Sequence, residues 1–185
     1  MIHQLADVKS VNIGPNTHIW QFAVVLEKAV IGDFCNLNCH TFVENDVIIG
    51  DRVTIKSGVF LWDGLTIKDD VFIGPNVTFT NDVYPRSKHY PEQFKPVVIQ
   101  KGASIGAGST ILGGVEIGEY ALIGAGSLVT KNVKPFALVL GHPAKQVGWV
   151  NEMGQKLKEI STDLWECPNG ELYKVFQEHL IKYEI

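Results

Sequence analysis

The chain has 185 residues, 45% of them hydrophobic, enough for one domain with or without a small appendage and for a substantial core. Its formal net charge is −4 and its pI is near 5.8, with no basic block, which excludes the electrostatic footprint of a nucleic-acid binder. There is no run of eighteen apolar residues and no basic–apolar–small leader, so the expectation is a cytoplasmic protein without membrane insertion.

From Ile13 onward an aliphatic residue recurs every six positions: Ile13, Ile19, Val25, Ile31, Leu37, Val43, Ile49, Ile55, Leu61, Ile67, Ile73 and Phe79. After a break the register returns as Ile99, Ile105, Ile111, Ile117, Ile123 and Val129. Four residues after these stand small or β-branched side chains, among them Thr17, Ala23, Cys35, Val47, Val53, Ala103, Ser109 and Ser127. Short flat strands joined by sharp turns would bury both sets. Gly14, Gly32 and Gly50 are eighteen apart, as are Gly106 and Gly124, so three hexads make one coil. Glycine there suits a corner or a close backbone approach. Asn16, Asn36, Asn38, Asn45 and Asn76 are expected at corners as well, because Asn tolerates left-handed backbone angles.

At Phe79 the rhythm fails: Ile99 lies twenty residues on, not eighteen. The intervening 81–96, NDVYPRSKHYPEQFKP, reads as an excursion replacing two hexads, and a long loop on a rigid repeat is a candidate site. Residues 1–140 are thus expected to form a parallel β-helix with a loop at about 81–96, and 141–185 a small extension packed on it or on a neighbour. Within the extension, 146–160 is expected to be a helix burying Val147, Val150, Leu157 and Ile160. The Asn-Gly pair in WECPNGELYKV (165–175) predicts a hairpin, and a short helix is expected over 176–183. Cys35, Cys39 and Cys167 make an odd count without a CxxC pair, which argues against a disulfide scaffold or a four-ligand zinc site. His3, His18, His40, His89, His142 and His179 include no close pair, so no metal site is expected.

The stretches HTFVENDVIIGDRVTIKSGVFLWDG (40–64), DDVFIGPNVTFTNDVYPRSK (69–88), IGAGSTILGGVEIG (105–118), GAGSLVTKNV (124–133) and GHPAK (141–145) resemble the hexapeptide-repeat acyltransferases. Among these, the resemblance is to the branch that N-acetylates dTDP-3-amino-3,6-dideoxyhexoses. It implies an all-β, left-handed parallel β-helix and a homotrimer with active sites between prisms. It also implies a sugar nucleotide as acceptor and acetyl-CoA or another acyl-CoA as cosubstrate, with no permanently bound cofactor. His142 departs from the family, which commonly has Asn there.

By the same resemblance the NDxxPR stretch lies at the sugar: Asn81 would orient the amino sugar and Asp82 would accept a hydrogen bond or proton from its amine. The plainer reading of the pair is an Asx turn leaving the coil. His40 is the main alternative base, having a suitable unperturbed pKa, or else caps backbone or lines an interface; His89 is a further candidate. Arg86, Lys88 and Tyr90 are substrate candidates in the same loop, Arg86 suiting phosphate and Tyr90 stacking, unless the loop is merely solvated. Glu44, Asn45 and Trp62 are expected on the sugar side, with interface packing the competing role for Trp62. Gly106, Ala107, Gly124, Ala125 and Gly126 offer a narrow track for the pantetheine arm, and Lys131 and Lys145 could meet CoA phosphates. Open alternatives are a longer or hydroxylated donor such as hydroxybutyryl-CoA, another nucleotide-linked amino sugar, and a non-catalytic assembly module.

Overall fold

The structure, a computed structural model, describes residues 1–177 and 179–183. The hexads become strands of mostly two residues whose second residue points inward, as in Asn36–Leu37, Thr54–Ile55 and Ser104–Ile105. These stack in parallel into three sheets, the faces of a triangular prism, and the coil is left-handed. Face one runs from Asp7–Val8 through Phe42–Val43, Phe60–Leu61 and Thr78–Phe79 to Leu128–Val129. Face two carries Val30–Ile31, Ile48–Ile49, Leu65–Ile67, Val97–Ile99 and Glu116–Ile117. Face three starts at His18–Ile19 and ends at Ala137–Gly141, to which Ala144–Trp149 adds an antiparallel strand.

Every aliphatic position of the hexad register from Ile19 to Val129 is buried, and each fully buried Ile or Leu stabilises the fold by about 1.5–3 kcal/mol. The positions four residues later are buried too, except Val83 in the excursion after Phe79. Their hydroxyls do not go unsatisfied: Thr17 donates to Gly32 O at 2.7 Å, Ser109 to Gly124 O at 3.0 Å and Ser127 to the same oxygen at 2.7 Å. Buried polar groups without such partners would be costly.

The corners differ from expectation. The residue with positive φ is regularly the third after the buried aliphatic one, as at Phe22, His40, Arg52, Asp70, Asn76 and Tyr120. Of the asparagines expected there, only Asn76 adopts it; Asn45 instead accepts the Lys28 N–H at 3.1 Å and Asn16 donates to Asp33 at 3.0 Å. A side chain at these corners can stack on the one a coil away, which offsets backbone strain. Phe22 and His40 lie 5.2 Å apart, and Tyr120 and Phe136 5.3 Å.

The excursion replaces no hexads. Ile67 pairs with Ile99 and Phe79 with Ile111, so Phe79 on face one is followed directly by Val97–Ile99 on face two. A single corner has been lengthened and no face is skipped, since a missing rung would strand the backbone groups of Leu65–Ile67 and Glu116–Ile117.

No helix occurs among the described residues, correcting the expectation for 146–160 and 176–183. The first span forms strand Ala144–Trp149 and strand Lys158–Ser161 on either side of a turn. Ala137–Gly141 would otherwise be an open sheet edge, and 144–149 closes it. In the second span His179–Tyr183 is a strand, and Glu178 lies outside the described residues. The hairpin at Asn169-Gly170 joins Leu164–Glu166 to Leu172–Phe176. Trp149, Leu157, Cys167 and Leu180 belong to the same core cluster as the prism's aliphatic residues.

Candidate active site

The lengthened corner encloses a cleft of about 480 Å³, lined by Asn81, Asp82, Val83, Tyr84, His89, Tyr90, Pro91, Gln93 and Lys95. Both ends of the loop are tied to the prism. The Trp62 indole donates to Phe79 O at 3.0 Å, and the Asn81 side-chain amide to Asp63 O at 3.2 Å. Gly113 N–H donates to the Thr80 hydroxyl at 3.1 Å, Lys95 N–H to Asn81 O at 2.9 Å and Gly114 N–H to Pro96 O at 3.0 Å. Asn81 is therefore half-buried on a fixed root, with its side-chain oxygen left to accept a hydrogen bond.

Asp82 Oδ1 accepts the Tyr84 N–H at 2.9 Å, which is an Asx turn. The turn does not exhaust the carboxylate, because its second oxygen has no hydrogen-bond partner among the described residues. Tyr84 and Tyr90 are 84% and 82% exposed, so their rings are open to a planar ligand. The Arg86–His89 bridge, with Lys88 at φ 61°, turns His89 into the cleft. Arg86 instead donates to its neighbour Pro85 O at 2.8 Å, and neither Arg86 nor Lys88 lines the cleft.

Glu44 Oε2 accepts the Asp63 N–H at 2.7 Å. Since Asp63 O holds the Asn81 amide, Glu44 is linked to Asn81 through one residue. Asn45 is occupied as a backbone acceptor. The Trp62 ring packs with Phe42 and Phe60 at 5.7 and 6.0 Å on the outside of face one.

His40 lies elsewhere. It occupies the corner between faces three and one, exposed and stacked on Phe22, whereas the cleft opens at the corner between faces one and two. The two are at opposite ends of face-one strands two rungs apart. With rungs about 4.8 Å apart and about 3.3 Å per residue along a strand, they are on the order of 15 Å or more apart in one chain.

The small-residue track divides in two. At Gly106 a Cβ would meet Ala125 N at 2.5 Å, and at Gly124 it would meet the Leu140 side chain; both glycines serve the stacking of coils. Gly108 and Gly126 have positive φ, and a Cβ added at either would have nothing within 4 Å. With Ala107 and Ala125 beside them they leave an open strip along the corner between faces three and one. Lys131 borders a 170 Å³ hollow at the end of the prism with Ala144 and Gln146, and Lys145 is exposed on the strand opposite Leu140.

Among the cleft residues, Tyr84, Gln93 and Lys95 are additions to the sequence-based candidates. The Gly113-Gly114 doublet stands where the loop is rooted, and the fold, not the spacing, brings it against Lys95.

A left-handed prism of stacked hexads with one lengthened corner is the architecture of the hexapeptide-repeat proteins. The model of the bacterial transferase hexapeptide (six repeats) matches residues 96–131. The chain is 52% identical over 173 residues to the dTDP-3-amino-3,6-dideoxy-alpha-D-galactopyranose 3-N-acetyltransferase of Aneurinibacillus thermoaerophilus, covering 94% of this chain and 90% of that one. Among solved structures, a Bacillus cereus protein assigned as an acetyltransferase is 30% identical with a TM-score of 0.63, over 76% of this chain and 78% of the other. A hexapeptide-repeat acetyltransferase from Vibrio cholerae O1 biovar eltor, solved with acetyl coenzyme A, is 31% identical with a TM-score of 0.53, over 67% and 69%. The chain belongs to the hexapeptide-repeat acyltransferases.

Proposed function

We propose that the protein transfers an acetyl group from acetyl-CoA to the 3-amino group of a dTDP-3-amino-3,6-dideoxyhexose. The observation that carries this is the 52% identity over 94% of the chain to an enzyme named for that reaction; so long a match cannot leave out the whole corner loop. The galacto configuration in that relative's name makes the galacto acceptor the first to test.

The reaction needs a neutral amine, alignment and a partner for the proton. A sugar amine is less basic than lysine, so a substantial neutral fraction exists near neutrality. Its nitrogen lone pair attacks the thioester carbonyl carbon while the Asn81 side-chain oxygen and the free Asp82 oxygen accept its N–H bonds. The tetrahedral intermediate collapses by breaking the C–S bond, CoA leaves as thiolate, and the surplus amine proton passes to Asp82 or to a histidine. The open strip at Gly108 and Gly126, with Ala107 and Ala125, takes the pantetheine arm; Lys131 and Lys145 lie towards the phosphate end.

The separation of His40 from the cleft supports a homotrimer. A site using both must draw them from two prisms set side by side, which also supplies the concavity a single prism lacks. A cytoplasmic location fits a reaction between two soluble activated metabolites, and no described helix is long and apolar enough to cross a membrane.

The test is a mass-resolved assay crossing acetyl-CoA and hydroxybutyryl-CoA with dTDP-3-amino-3,6-dideoxygalactose and its C4 epimer. Acetylated galacto product in excess of the others is expected. Product from none of the four pairs overturns the assignment and leaves another acceptor or a non-catalytic assembly module.

A further inference from the structure

We propose that Lys95, rather than Arg86 or Lys88, holds the diphosphate of the sugar nucleotide and so sets how far the acceptor enters the cleft. The proposal rests on the sugar-nucleotide reading above. Lys95 lines the same open cleft as Asn81 and Asp82, so a cation and the amine's acceptors face one ligand. Its main-chain N–H is bonded to Asn81 O at 2.9 Å, which fixes where its side chain starts relative to the reacting end.

The stem has a seat of its own. A Cβ built at Gly113 would lie 3.2 Å from the Lys95 Cβ, and one at Gly114 would lie 3.9 and 4.0 Å from its Cβ and Cδ. The glycine doublet thus leaves a trough along which the aliphatic part of Lys95 runs. A stem partly ordered by such packing loses less rotamer freedom on binding than a free surface lysine does.

The charge is available. Lys95 has no carboxylate within ion-pair distance among the described residues, and Asp82, the one acid in the lining, already accepts the Tyr84 N–H. Arg86 has turned to Pro85 O outside the cleft. A diphosphate is the group on the acceptor that most rewards an unpaired ammonium, since hydrogen bonds between two charged partners are among the stronger ones. Acetyl-CoA, which approaches along the far corner of a neighbouring prism, gains nothing from it.

Lys95→Met keeps the length and the stem and removes the charge. The KM for the dTDP-amino sugar and the inhibition constant of dTDP should each rise about ten- to a hundredfold. The KM for acetyl-CoA and the thermal midpoint should stay unchanged, and Lys95→Arg should recover most of the lost affinity. Unchanged KM in Lys95→Met overturns the proposal. So does a rise for acetyl-CoA and the sugar nucleotide together, which would mark a purely structural part in the loop root. Failure of the functional reading looks different: the wild-type protein itself would acetylate no nucleotide sugar.

Discussion

Two glycines of the same GAG pattern should respond to alanine in opposite ways. At Gly106 the added methyl meets main chain of the next coil, Ala125 N at 2.5 Å and both Ala125 Cα and Ile123 O at 2.8 Å. Nothing there can rotate aside, so two coils must part. Overpacking of this kind costs about 1–3 kcal/mol, and weakening the 2.8 Å bond from Gly106 N–H to Ile123 O adds about 1 kcal/mol. With roughly 2–4 °C per kcal/mol for a chain of this size, Gly106→Ala should lower the thermal midpoint by about 4–16 °C. At Gly126 the methyl meets nothing within 4 Å, and the cost is that of a φ of +69°, about 1–2 kcal/mol or a few degrees. That methyl projects into the open strip, so Gly126→Ala should raise the KM for acetyl-CoA and leave the KM for the sugar nucleotide alone. Calorimetry and initial-rate kinetics on the two purified variants decide the matter. Equal midpoints, or a larger fall for Gly126→Ala, would refute the division of the glycines into coil-stacking and ligand-facing sets.

Asn81→Ala and Asp82→Asn should each lower kcat by about ten- to a thousandfold without changing the thermal midpoint by more than a few degrees, because each removes an acceptor from the amine; full activity in both would remove the cleft from the reaction. His40→Asn and His89→Asn separate the two imidazoles: the variant that loses the acidic limb of the kcat–pH profile identifies the group taking the proton, and an unaltered limb in both leaves Asp82. In acid, the bidentate Arg52 guanidinium holds the Asp70 carboxyl below its ordinary value, and Asn16 does the same for Asp33. A depressed folded-state pKa adds stability above the unfolded value of 3.8 that is lost as pH falls through the folded one. The thermal midpoint should therefore begin to drop below about pH 4, and less steeply in Asp70→Asn; Asp70 is exposed and Asp33 only half-buried, so the effect is small. An acid limb identical in Asp70→Asn would show that the Arg52 pair contributes nothing.

The prism was legible because its information is periodic: Ile55 and Ile105 are buried for the same reason, and one period finds them both. The corners were less so, since positive φ is set by the geometry of the turn, and Phe22 and His40 adopt it with stacking in support. The lengthened corner shows a limit of counting, because a step of twenty residues resembles a whole coil of eighteen as closely as one enlarged turn. The pairings of Ile67 with Ile99 and of Phe79 with Ile111 separate the two. The misassigned helix has a similar cause. Val147 and Val150, like Leu157 and Ile160, are three apart as on a helix, yet the open edge at Ala137–Gly141 draws the chain into a strand. Asn81 and Asp82 could be singled out by resemblance. Lys95 and the placement of His89 depend on how the loop closes on itself, which leaves no period in the chain.

The corner loop returns to the rung directly after the one it left, so the stack does not register what lies between Phe79 and Val97. Stability is counted in rungs, while on the function proposed above acceptor choice is written in a span that adds no rung. Such a span can be exchanged as a cassette: residues 80–96 from a relative with another acceptor, rooted on the same Trp62, Asp63 and Gly113 contacts, should carry that relative's preference into an otherwise unaltered prism. Success of that exchange would mean that one scaffold can diversify its chemistry by editing a single turn.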